Sequence, residues 1–370
     1  VSQNTSLSNK AEPDRSGSGS GGAKGAGRER DVVDDADPRA LIWDLLRGQW
    51  RFSALYAFVE LDVAGALGDG PLTAGELAER LGVDRVAVGR LLRTVAALGV
   101  ARSVGGPETP RYALTAAGDS LRADAPGSMR SVSLLQGAPV LLDAMESLAD
   151  AVRQGRSSFA ARFGSFYGWL ATDADARRHF DVFMTTRSRA IADAAVAAYD
   201  FAGIGTLADI GGGKGTVLAT ALRATPGMRG MLLDLEPVMA GARAFLAAEG
   251  VADRCELVVG DFFRAVPRAD AYLLSNIVHN WDDDDALRIL GNIRRELPAD
   301  GRVLLLDMLL PEDDRPHLGK EMDMRLLALY DGGRERGEQE YLALLGKAGL
   351  RTERVVELPN ALSLVDARPE

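Results

Sequence analysis

Between Leu207 and Thr216 the chain reads Leu-Ala-Asp-Ile-Gly-Gly-Gly-Lys-Gly-Thr, an apolar run entering a glycine-rich turn. Glycine has no Cβ, so a ligand can lie close against such a backbone. A phosphate-cradling loop needs Gly-Lys followed by Ser or Thr, but Lys214 is followed by Gly215; a dinucleotide fingerprint needs glycine where Thr216 stands. What remains is the Gly-x-Gly-x-Gly turn of Gly211, Gly213 and Gly215, which suits the amino-acid end and ribose of S-adenosylmethionine. On this turn alone, another nucleotide or no ligand stays open. Two acids strengthen the reading. Asp234 closes the run Met231-Leu232-Leu233 and is placed to accept both ribose hydroxyls. Asp261 follows Val258-Val259-Gly260 and precedes Phe262 and Phe263, a carboxylate and aromatic pair suited to adenine. Either acid alone could be a helix N-cap; at successive strand ends, in order, they point to one ligand. The next run ends in Ser275-Asn276, with His279 just beyond. Ser275 joins the expected cofactor contacts. A lone histidine is usually structural, but the carboxyl end of a central strand is where open sheets bind ligands, and imidazole is well suited to take a proton near neutral pH.

These residues need a scaffold that brings strand ends together. From Thr206 onward apolar runs alternate with helical patterns, with strands expected at 207–210, 230–235, 255–259, 271–276, 303–308, 352–358 and 361–367. The stretch 286–297 sets Ala286, Leu290, Ile293 and Leu297 on one helical face. That grammar predicts an α/β, doubly wound sheet. Upstream the pattern is helical, and over 73–99 it is helix-turn-helix: Thr73 with Glu76 forms a capping box, Asp84 caps a second helix, and Gly99 stops it. The stretch to Leu114 reads as a small wing. A winged helix raises the question of DNA binding, yet between positions 71 and 122 seven arginines face five acids, too thin a surplus for a groove reader. Aromatic residues recur through 159–183 at helical spacing and read first as core.

The chain has 370 residues, enough for two to three domains at about 150 residues each, and a formal net charge of -10. That charge disfavours nucleic acid and anionic membranes. The single Cys255 permits no internal disulfide, and His179, His279 and His317 are too far apart for a local cluster. No bound metal is expected. With no run of eighteen apolar residues and no signal-like N-terminus, a cytoplasmic location is expected. Residues 1–37 are rich in Ser, Gly and charge and are expected to form a disordered tail.

Together the markers Asp209-Ile-Gly-Gly-Gly-Lys-Gly, Gly260-Asp-Phe-Phe, Ile277-Val-His-Asn-Trp-Asp-Asp and Tyr330-Asp-Gly-Gly-Arg-Glu-Arg-Gly-Glu-Gln-Glu-Tyr resemble one family. It comprises the S-adenosylmethionine-dependent small-molecule O-methyltransferases, including caffeic-acid-type plant enzymes and bacterial enzymes that tailor aromatic polyketides and antibiotics. The resemblance spans position 40 to the C-terminus. It implies a Rossmann-like class I methyltransferase domain at 201–370, a helical connecting region at 123–200, and a winged-helix-like dimerisation domain at 38–122 that makes a homodimer. It further implies that Gly211, Asp234, Asp261 and Phe262 hold the cofactor, that His279 is the base flanked by Glu335 and Asp307, and that Leu327 and Asp331 line the pocket for an aromatic acceptor. Two positions depart from the pattern: Asn280 stands where the family commonly has Asp, and Asp307 where Glu is usual. Asn280 is counted with the acceptor contacts. The expected reaction is methyl transfer to a phenolic or enolic hydroxyl. The alternatives are cofactor-assisted hydroxylation or decarboxylation on the same fold, or a winged-helix regulator that senses a ligand.

Overall fold

The computed structural model describes residues 37–370; the expected disordered tail lies outside the described residues, except for Asp37. The chain divides into two units, Val1–Gly48 and Gln49–Glu370. In the first, the described residues open the helix Pro38–Glu60, and Leu41, Ile42, Trp43, Leu45 and Leu46 are all exposed.

The second unit begins with the module anticipated from its caps. Thr73 Oγ1 accepts the Glu76 N–H while Glu76 returns a carboxylate oxygen to the Thr73 N–H, starting the helix Ala74–Leu81. Asp84 caps Arg85–Ala97 at 2.7 Å. Strands β1 (Leu72–Thr73), β2 (Ala101–Val104) and β3 (Arg111–Leu114) form an antiparallel sheet in the order β1-β3-β2. Leu77, Leu92 and Val95 from the two helices close on Phe58 and Tyr112. This is a winged helix.

The main sheet contains β4 (Thr206–Ile210), β5 (Arg229–Asp234), β6 (Cys255–Val259), β7 (Ala271–Ser275), β8 (Arg302–Leu310), β9 (Arg336–Gly337), β10 (Leu350–Glu357) and β11 (Leu362–Pro369). Its order is β10-β11-β8-β7-β4-β5-β6, with β9 paired to the end of β8. Strands β4 to β8 are parallel, whereas β11 is antiparallel to both β8 and β10. Helices cover both faces, so its strands are apolar on both sides. Leu207, Leu273 and Leu304 enter one core while Ala208, Leu274 and Leu305 enter the other, as a two-residue side-chain period demands. The winding reverses beside β4, with β5 and β6 on one flank and β7 and β8 on the other. Such a reversal opens a crevice at the strands' carboxyl ends.

Two local features differ from the sequence expectation. The strand expected at 271–276 stops at Ser275, because Asn276 takes a left-handed conformation with φ of 54°. The two-residue β9 carries too little periodicity to announce itself. The aromatic residues at 159–183 divide: Phe159, Phe166 and Trp169 pack with Ala328 and Leu329 of the helix Leu318–Leu329, while Tyr167 does not enter that core. Among the described residues no helix is long and apolar enough to cross a membrane.

Candidate active site

The glycine turn follows β4 directly. Gly211 has φ of 67° and donates its N–H to the Leu233 carbonyl at 2.8 Å. A Cβ there would stand 2.7 Å from Ile277 Cδ1, so both conformation and space demand glycine. Gly213, also left-handed, has open space above it. Its N–H donates to Asp234 Oδ2 at 2.8 Å, and the Leu235 N–H donates to Oδ1 at 2.7 Å. Burial raises the Asp234 pKa against the pull of these two backbone donors. Asp261 Oδ1 accepts the Phe263 N–H at 2.9 Å, which tightens the turn after β6 and presents Phe262 beside Gly211. Phe263 meets Trp281 edge to face, with centroids 4.7 Å apart. Ser275 Oγ accepts from Asn276 Nδ2 at 3.2 Å.

Asp209, at the end of β4, was read only as part of the motif. Its carboxyl lies beneath Gly212, where an added Cβ would come within 2.3 Å. Burial, with Asp234 nearby, pushes its pKa up to about 7 against the pull of the Leu218 backbone N–H. Asp209 and Asp234 therefore lie against one turn, and Asp261 stands in the loop that brings Phe262 to it. The set fits a ligand carrying positive charge and hydroxyls, as S-adenosylmethionine does, and is unsuited to pyrophosphate.

The second group assembles from distant segments. His279 sits in the 3-10 turn Val278–Asn280 just after β7 and is 4% exposed. Its Nδ1 is 2.9 Å from Glu335 Oε1. A carboxylate there holds the proton on Nδ1 and leaves Nε2 as a proton acceptor. The Glu335 backbone N–H in turn donates to Asp323 at 2.8 Å. Asp307, fully buried on β8, accepts the Tyr341 hydroxyl at 3.0 Å rather than bonding the histidine. Burial pushes Asp307 up to about 6; His279 opposes this and Glu335 adds to it.

Sequence reasoning missed what fixes this loop. Arg336 is fully buried and donates to Asp283 Oδ1, to the Val278 carbonyl and to the Trp281 carbonyl. Arg334 also pairs with Asp283, and its backbone N–H donates to the His279 carbonyl at 2.9 Å. The signal available was the run Asp283-Asp284-Asp285, three acids beyond the Asp282 cap that starts the helix. Asn280 Nδ2 donates to the Asn276 carbonyl. Leu327 is half-buried on the helix Leu318–Leu329. Asp331 is exposed and accepts the Ser157 N–H at 3.1 Å. The structure thus gathers His279, Glu335 and Asp307 into one buried cluster and sets Asp234 and Phe262 against the glycine turn, while the hydrogen bond of Asp331 is to Ser157 and not to either group.

Comparison with known proteins places this geometry. The family model described as the O-methyltransferase domain matches residues 145–351, and that of the O-methyltransferase dimerisation domain matches residues 43–124. The mitomycin biosynthesis 6-O-methyltransferase of Streptomyces lavendulae is 41% identical over 313 residues, 84% of this chain and 88% of that protein. The phenazine O-methyltransferase PhzM of Lysobacter antibioticus is 36% identical, over 89% of this chain and 96% of that one. Among solved structures, CalO1, a methyltransferase in calicheamicin biosynthesis in its SAH-bound form, aligns with a TM-score of 0.79 at 39% identity, covering 91% of this chain and 100% of that chain. The chain belongs to the O-methyltransferase family and is an S-adenosylmethionine-dependent O-methyltransferase with an N-terminal dimerisation domain.

Proposed function

We propose that this enzyme methylates a phenolic or enolic hydroxyl of an aromatic natural product in antibiotic or phenazine-type biosynthesis, with His279 as general base. The observation that carries this reading is the buried His279 to Glu335 contact at 2.9 Å, beside a crevice whose carboxyls suit a cationic cofactor. Gly211, Gly213, Asp234, Asp261, Phe262 and Ser275 hold S-adenosylmethionine, which when bound supplies a methyl group activated by positive sulfur. A phenol has a pKa near 10, so it is mostly neutral at pH 7 and a weak nucleophile. Nε2 of His279 accepts its proton as the oxygen attacks, Glu335 stabilises the imidazolium formed, and Asp307 with Tyr341 backs the pair. Burial of these groups excludes water and holds the acceptor in line. Leu327 and Asn280 belong to the acceptor side, with Asp331 acting through Ser157.

The active form is a homodimer working in the cytoplasm on soluble aromatic molecules. The reading is supported by the exposed apolar residues Leu41, Ile42, Trp43, Leu45 and Leu46 at the start of the first helix, a cluster of the kind that marks a protein interface. Incubation with the cofactor and a panel of hydroxylated polyketides and phenazines should give products heavier by one methyl, located on oxygen by fragmentation. Hydroxylated or decarboxylated products instead would overturn the assignment. Light scattering should give twice the chain mass, and a monomer at micromolar concentration would remove the homodimer.

A further inference from the structure

A cavity of about 380 Å³ opens beside the helices Arg130–Gln136 and Ala174–Ala198, and none of the residues placed around the cofactor or His279 lines it. Its polar lining is Ser128, Arg130, Ser131, Arg178 and His179, and among the described residues no acid joins them. Leu134 and Val182 supply an apolar side. The volume is that of a small-ligand pocket. Arg178 and Val182 stand about one turn apart on the longer helix, whereas Arg187, nine residues beyond Arg178, donates to Asn276 Oδ1 at 2.7 Å, just after β7. Nine residues make about two and a half turns, so the cavity and the catalytic loop meet opposite faces of one helix.

The positive charge of the lining is only partly neutralised. Arg178 meets Asp175 through Nη1 at 2.7 Å, and an exposed pair of this kind holds its partners weakly. Arg130 meets Asp62 and the Val59 carbonyl, also through Nη1. Nε and Nη2 of both guanidiniums make no hydrogen bond among the described residues. His179 Nδ1 lies 3.2 Å from Ser131 Oγ, which fixes the ring. Burial lowers the His179 pKa, Arg178 and Arg130 add to that effect, and Asp175 and Asp173 oppose it. The ring is therefore neutral at pH 7 beside two cations, and an anion set among the three groups would draw a proton onto it.

We propose that this cavity is a second ligand site, which takes the phosphate monoester of a compact ring-bearing alcohol, with the phosphate among Arg130, Arg178 and His179 and the ring on Leu134 and Val182. Two guanidiniums and an imidazolium are three separate cationic donors. They suit the three terminal oxygens and nearly double charge of a phosphate better than the two oxygens and single charge of a carboxylate.

Calorimetry on the full chain at neutral pH, saturated with S-adenosylhomocysteine, tests this with phenyl phosphate, benzoate and inorganic phosphate. Phenyl phosphate should bind at least about tenfold tighter than benzoate, as expected of additional charged hydrogen bonds, and tighter than inorganic phosphate, which lacks the ring. Arg178→Gln should lower its affinity by a similar factor and Arg178→Lys should restore part of it. Repetition in buffers of different ionisation enthalpy should reveal proton uptake on binding, which His179→Gln should abolish. A cooperative melt and an unchanged affinity for S-adenosylhomocysteine confirm that each variant folds. Absence of phenyl phosphate binding, equal binding of benzoate, or an affinity that survives Arg178→Gln overturns the proposal. So does binding without proton uptake, or uptake that persists in His179→Gln.

Discussion

The glycine turn and the histidine stand at the carboxyl ends of adjacent strands, β4 and β7, but they are held by different means. The turn is fixed by its own backbone: left-handed glycines, an N–H from Gly211 to the neighbouring strand, and N–H groups from Gly213 and Leu235 to Asp234. His279 is fixed by side chains brought in from more than fifty residues away, through Glu335, Arg334 and Arg336. A backbone-built site tolerates loss of one contact, because each hydrogen bond contributes only modestly. A side-chain network buried in low dielectric is more sensitive, since removing one member strands the others. Damage at the histidine end should therefore fall on turnover and folding, and damage at the glycine end on cofactor affinity.

The largest effect expected is that of His279→Ala, which should lower kcat by about 10²- to 10⁴-fold, the usual range for a general base, while cofactor affinity stays within a factor of two or so by calorimetry. Activity should return at high pH, where the phenol ionises unaided. Wild-type turnover in this variant at neutral pH would erase the distinction between the two ends.

Asp283→Ala comes next. Burial alone would raise the Asp283 pKa, but hydrogen bonds from Arg336 and Arg334 hold it below the ordinary value. Its loss leaves the fully buried Arg336 guanidinium without its carboxylate, a cost of about 1–3 kcal/mol. Thermal melting should register that loss, and kcat should fall with it because the loop no longer orients His279. An unchanged melt with unchanged kcat would show that the two arginines do not position the base.

At the other end, Asp234→Ala should weaken S-adenosylmethionine by about 1 kcal/mol or more with little change in kcat at saturation; full retention of affinity would remove Asp234 from the cofactor site. The smallest effect is one of pH. With its folded pKa at about 7 against an ordinary 3.8, Asp209 keeps a proton in the empty protein that the unfolded chain has already lost, so this group's contribution to stability falls as pH rises from about 4 to about 7. A cationic ligand favours the ionised form, so cofactor affinity should rise several-fold between pH 6 and pH 8. Asp209→Asn should flatten that slope, and a wild-type affinity independent of pH would show that Asp209 keeps its proton throughout.

Much of this protein is legible in its sequence because the information is local. The capping box at Thr73 and Glu76, the apolar runs of β4 to β8 and the glycine turn each lie within about ten residues, and backbone sterics and side-chain periodicity act over that range. The helix-turn-helix caps and the strands were all found close to where they were expected, and the placing of Asp234 and Asp261 at strand ends followed from them. What the sequence could not announce depends on chain segments that meet only after folding. The partner of Asp307 is Tyr341, not His279, because both side chains happen to face one buried layer. The burial of Arg336 and of the Asp209 carboxyl follows from the packing around each group, which no local pattern encodes. A motif specifies which residues are present and in what order; whether a charge meets its counter-charge, water or nothing is decided by distance in three dimensions, and in a low-dielectric interior that decision sets the chemistry.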